Sequence, residues 1–105
     1  MTSGEQRGVQ KFAFSGSGTQ SITVDADQYI NFFQCDISIN TDTTIEIKVG
    51  TIVLFTGSLI ANASPIQLFF YDFGQGRGTG VKGDALHLTM GESSDVFISY
   101  VKRKT

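Results

Sequence analysis

The segment Ile66-Gln67-Leu68-Phe69-Phe70-Tyr71-Asp72-Phe73 constrains this chain more than any other. Side chains alternate along a strand, so Ile66, Leu68 and Phe70 fall on one face and Phe69, Tyr71 and Phe73 on the other. Both faces are apolar. An antiparallel strand in a small domain ordinarily keeps one face wet, so the second face calls for a cover from outside the core. Thr51-Ile52-Val53-Leu54-Phe55-Thr56 poses the same demand. We therefore expect Val53, Phe55, Phe69, Tyr71 and Phe73 to form a contact between copies of the chain.

The remaining sequence reads as strands divided by turns. Thr, Ile, Val and Phe dominate its periodic segments, and twelve glycines punctuate them. The one proline, Pro65, falls between strands, where its missing N–H does no harm. No helical period emerges. Expected strands cover Val9 to Phe14, Gln20 to Val24, Tyr29 to Asn40, Thr43 to Val49, Thr51 to Thr56, Ile66 to Phe73, Ala85 to Met90 and Val96 to Val101. Between Phe32 and Phe33 the period of two slips by one residue, which marks a β-bulge or a bend. Turn signals at this spacing predict an all-β fold of about eight short strands. We expect a two-sheet antiparallel sandwich of jelly-roll type, with a flattened up-and-down barrel as the alternative. At 105 residues and 11.4 kDa this is a single domain. Met1 to Gly8 is polar and reads as a flexible arm, leaving residues 9–105 as the sandwich.

Charge narrows the function classes. Charged residues make up 17% of the chain and the net charge is −2, which disfavours capture of nucleic acid by the whole fold. Lys102-Arg103-Lys104 is an exception and reads as a solvated tail. The N-terminus lacks the basic start and apolar run of a signal peptide, and no apolar stretch approaches a membrane helix in length. These features predict a protein made in the cytosol and soluble there. Asn62-Ala63-Ser64 fits a glycosylation pattern, but with no secretion signal its content is a turn.

Candidate chemistry is sparse. Cys35, the one cysteine, shares a strand face with Phe33 and Ile37 and reads as a buried, inert thiol. His87 lies between Leu86 and Leu88, facing away from them. One histidine and one cysteine do not make a zinc site, and no nucleophile-elbow pattern offers His87 a serine. Asp25 and Asp27 lack the glycine and glutamate of a calcium loop and read as turn residues. Gly74 to Gly83 spaces its glycines at every second position, with no following helix, so it is not a phosphate loop. It reads instead as a mobile loop whose Arg77 and Lys82 give a positive tip. Arg7, Arg77 and Lys82 are the candidate contacts to a partner. No cofactor, metal or catalytic residue is expected.

Ile66 to Phe73, Gly83-Asp84-Ala85-Leu86-His87-Leu88 and Val96-Phe97-Ile98-Ser99-Tyr100 together resemble small all-β virion proteins of tailed bacteriophages, especially capsid decoration or cement proteins. The resemblance implies a non-enzymatic protein on the outer capsid, a homotrimer that clamps major capsid subunits without a cofactor. Its localisation would then be the virion. The alternative is a glycan- or receptor-binding jelly roll of a phage tail, with Tyr29, Tyr71 and Phe73 as its aromatic platform.

Overall fold

The computed structural model of the chain describes residues 6–61, 65–74 and 82–104, with only the backbone for 71–74. The alternating sequence becomes eight strands: β1 (Gln6–Phe14), β2 (Gly18–Ile22), β3 (Gln28–Ile39), β4 (Thr43–Val49), β5 (Ile52–Leu59), β6 (Ile66–Gly74), β7 (Leu86–Met90) and β8 (Ser94–Lys104). None of the described residues is helical. The strands form two antiparallel sheets of four, ordered β1-β8-β3-β6 and β2-β7-β4-β5.

Strand pairing identifies the topology. β1 pairs with β8, β2 with β7, β3 with β6 and β4 with β5. The chain is thus one long hairpin of strand pairs, rolled so that β8 also meets β3 and β7 also meets β4. This is the jelly roll expected from the sequence. The inner faces supply Phe12, Phe14, Ile30, Phe32, Cys35, Ile37, Val96 and Ile98 from one sheet and Ile22, Ile45, Ile47, Val49, Leu86, Leu88 and Met90 from the other, all buried.

The period slip in β3 is a bulge: pairing with both neighbours shifts between Phe32 and Gln34. A bulge re-aims the strand by half a period, so Phe32 and Ile30 reach the same core as Cys35 and Ile37. A second bulge, hidden in the sequence, skips Leu54. Ile47 pairs with Phe55 and Lys48 with Val53.

The structure corrects the expected strand ends in two places. β1 begins at Gln6, so Gln6, Arg7 and Gly8 belong to a strand and not to an arm; they pair with Lys102, Val101 and Tyr100. The backbone supplies this pairing without apolar side chains. Gly8 lets the Tyr100 side chain lie close against β1: a Cβ on it would stand 2.7 Å from the Tyr100 hydroxyl, and the ring would have to shift. Residues 1–5 lie outside the described residues. The basic tail is likewise part of β8, with Lys102, Arg103 and Lys104 opposite Ile30, Tyr29 and Gln28. Long basic side chains lay their stems along a sheet and keep their charge in water.

Ile98 is fully enclosed and pairs with Cys35 on β3 and Gln10 on β1. Ile98→Ala should lower stability by about 3 kcal/mol, the usual cost of such a cavity. Val9→Ala, at an exposed position, should change it by less than about 0.5 kcal/mol. Urea unfolding of the two variants measures both.

Candidate assembly surface

The two doubly apolar segments, β5 and β6, are the outermost strands of their sheets on the same side of the sandwich. The Phe55 and Phe70 rings join them edge to face, with centroids 5.2 Å apart, and Phe70 meets Phe32 at 4.9 Å. Such tilted pairs are the favoured aromatic geometry. Phe70 thus faces the core, as the alternation predicts, and Phe69 faces away, 72% exposed.

Phe55 behaves differently from expectation. It packs against the core beside Phe70 and is half-buried. The bulge at Leu54 re-phases β5, so Phe55 and Leu54 both lean on the core while Val53 lies open to solvent. Tyr71 and Phe73 are in β6, but their side chains lie outside the described residues. Among the described residues the large exposed apolar side chains are Val9, Ile52, Val53, Ile60, Phe69 and Phe97. Four of these six belong to β5, to β6 or to the link between them. Ile52 and Ile60 add to the surface that the sequence assigned to Val53 and Phe69; their signal was present in continuous apolar runs but carried no phase.

The opposite side of the sandwich is built differently. There the Gln20 side-chain amide donates to the Ala13 carbonyl of β1 at 2.7 Å, and the Gln10 amide donates to the Lys11 carbonyl at 3.3 Å. β1 also carries Arg7 and Lys11, and the Lys11 ammonium sits 5.8 Å from the Phe97 ring centre. Side-chain caps and charge are the usual means of preventing a sheet edge from recruiting another strand. β5 has no charged residue, and β6 has only Asp72. Among the described residues no strand pairs with the outer side of either.

Arg7 and Lys82 come to the same end of the sandwich. Arg7 pairs with Val101, and the Gly83 N–H donates to the carbonyl of Gln28, which pairs with Lys104. Lys104 meets Asp27 there at 3.7 Å across an exposed, solvent-screened gap. Arg77 lies outside the described residues, as does most of the Gly-rich loop. Tyr29 is half-buried opposite Arg103.

His87 has a partner that the sequence did not reveal. Strand pairing sets it opposite Ser21, and Ser21 Oγ and His87 Nδ1 share a hydrogen bond at 2.6 Å. Thr19 and Thr89 form the next rung at 2.7 Å. Both rungs stand on the exposed outer face of their sheet, with Lys48 on the far side of His87. A catalytic serine also needs donors for an oxyanion and a third group to orient the histidine; this ladder of cross-strand pairs serves the sheet. Among the described residues no group of three His, Cys, Asp or Glu side chains is placed to hold a metal, and no helix is long and apolar enough to cross a membrane.

No known protein family matches the chain, nor does any curated protein. Twelve solved chains match in structure. One is a subunit from Bacillus endospore appendages, described as a family of disulfide-linked pili. It is 13% identical in sequence, with a TM-score of 0.50 over 95% of this chain and 86% of that one. The likeness is one of fold.

Cys35 is fully enclosed, as its strand position predicts. Burial, with a smaller push from the Asp36 carboxylate, raises its thiol from 9.0 to about 12. Unfolding releases a thiol that ionises near the ordinary value. The Cys35 contribution to stability is therefore intact below pH 9.0 and falls as pH rises from there towards about 12. Alkaline thermal melts should show this loss in the native protein and a shallower one in Cys35→Ala. Thiol reagents should label the native protein only as fast as it opens; rapid labelling would contradict this burial.

Proposed function

We propose that this chain is a non-enzymatic structural subunit that self-assembles into a larger extracellular structure, and that the bare β5–β6 side joins its copies. One observation carries the reading: the two sides of the same sandwich are treated oppositely. Charge on β1 and side-chain amides from Gln10 and Gln20 blunt one side, whereas the β5–β6 side exposes Ile52, Val53, Ile60 and Phe69. Exposed apolar groups clustered this way mark interaction sites or aggregation liabilities. Unpaired outer strands add backbone hydrogen bonds to such a contact.

The fold shared with an appendage subunit supports the same direction. That neighbour's assemblies are described as disulfide-linked. In this chain the one cysteine is enclosed, so non-covalent contacts would hold the copies together. A trimer on a virion shell is the narrower form of the reading, drawn from the resemblance in sequence. The appendage neighbour favours self-assembly without favouring a capsid.

Light scattering and electron microscopy of the purified protein test the proposal. The native chain should form assemblies at micromolar concentration. Phe69→Asp should reduce them to monomers, since removing a buried phenylalanine from an interface costs about 2 kcal/mol even before the added charge is counted. Gln20→Ala should leave assembly through β5 and β6 in place and add disordered association through the uncapped β1. A native chain that remains monomeric at micromolar concentration would overturn the reading.

A further inference from the structure

Two successive rows on the outer face of the sheet β1-β8-β3-β6 carry a self-complementary pattern. Register sets Val9 beside Ser99, Ser99 beside Gln34 and Gln34 beside Phe69. In the next row Lys11 stands beside Phe97, Phe97 beside Asp36 and Asp36 beside Gln67. Alternation turns both rows away from the core, and the residues between them on β8 and β3, Ile98 and Cys35, are buried inward. The first row is apolar and exposed at its two ends, Val9 and Phe69, and polar in the middle. In the second row a cation and a carboxylate flank the exposed Phe97.

β1 and β6 are the outer strands of this sheet, three strand spacings or about 14 Å apart, so Val9 and Phe69 do not cover each other within one chain. A second copy can cover both. Turning it about a twofold axis that runs along the strands, between β8 and β3, lays β1 over β6 of the second copy and β8 over its β3. Val9 then meets Phe69 of the second copy, and Phe69 meets its Val9. In the other row Lys11 lies over Gln67 of the second copy and beside its Asp36. The Lys11 ammonium now sits 5.8 Å from the Phe97 ring centre. Asp36 Oδ1 accepts from the Gln34 amide at 2.9 Å, which leaves its other oxygen for an ammonium. Asp95, paired with Ser38 within the chain, is set over Ser38 of the second copy, so no like charges meet. An axis along the second row would instead oppose Lys11 to Lys11 and Asp36 to Asp36. Packed sheets align their strands within about 30°, which keeps these rows in contact.

We propose that this face joins two copies of the chain in a closed twofold pair, with β1 of each copy over β6 of the other. The proposal rests on the assembly reading above and narrows it, naming Val9 as the mate of the exposed Phe69. The pair leaves Ile52 and Val53 of both copies open on β5 for contacts between pairs.

Cross-linking between two variants tests the pairing. Lys11→Cys and Gln67→Cys each place a thiol at an exposed position, while the enclosed Cys35 stays out of the reaction. Mixed at micromolar concentration and treated with a short bis-maleimide, the two variants should give a covalent dimer that mass mapping locates to positions 11 and 67. Either variant alone should give none, because the twofold sets neither position against itself. Adding Val9→Asp to both should abolish the link without moving the thermal unfolding midpoint, since Val9 is exposed within the chain. Absence of a link in the mixture, an equal yield from either variant alone, or a link that survives Val9→Asp would overturn the pairing. A native chain that scatters as a monomer overturns the assembly reading itself, whereas assembly without the link between 11 and 67 overturns this face alone.

Discussion

The placement of β8 between β1 and β3 is the interaction on which the rest of this molecule depends. It is the second-longest strand, and it alone joins the N-terminal strand to the sheet. Val96 and Ile98 face the core from it without any exposure. Its partners are distant in sequence, with Gln6 opposite Lys102 and Gln28 opposite Lys104. Such pairings repay their loop-closure entropy only after the chain has closed on itself, which makes topologies of this kind slow to form. The hairpin of β4 and β5, turned by Gly50 at φ 61°, is the local exception. The Gly50 N–H also donates to the Ala85 carbonyl at 2.9 Å, which ties this turn to the chain just before β7.

Closing a jelly roll leaves four outer strands, two on each side. The two sides then have different chemistry to manage. On the side of β1 and β2 the solution is internal: Gln20 reaches across to Ala13, Gln10 to Lys11, and cationic groups line the strand. On the other side the Phe32, Phe70 and Phe55 stack continues the core out to the margin, and no equivalent cap follows it among the described residues. The same aromatic stack that completes the core thus reaches the margin that carries the exposed Phe69.

Much of this was legible in the sequence where a residue's phase could be read. The β3 bulge was legible because Phe32 and Phe33 break an otherwise strict alternation. The bulge at Leu54 was not, because Ile52 to Phe55 is apolar throughout and a slip of one leaves no trace. That difference decides which side chains are exposed: parity puts Phe69 on the outer face, where it is exposed, whereas Phe55 leans on the core through an unseen change of phase. Strand order was beyond reach for another reason. It depends on pairings across the whole chain, so nothing local shows that β5 and β6 are outer strands, or that Ser21 stands opposite His87. The start of β1 was missed because polar residues such as Gln6 and Arg7 can be strand residues when the backbone alone does the pairing.

The geometry also limits how copies could join through the β5–β6 side. A surface that meets its own kind across a twofold closes into a dimer, and growth stops there; growth into a fibre or sheet requires it to meet a different surface. Only one other apolar area is evident among the described residues, the outer face carrying Val9 and Phe97, 63% and 41% exposed. Register places the two side by side on neighbouring strands, since Val9 pairs with Ser99 and Lys11 with Phe97. The Lys11 ammonium above the Phe97 ring gives that face a positive rim. A partner surface of opposite charge would favour the unlike pairing, because electrostatic complementarity selects partners and register more than it adds affinity. Charge at the margins would thus decide between a closed dimer and an open array built from the same apolar contact.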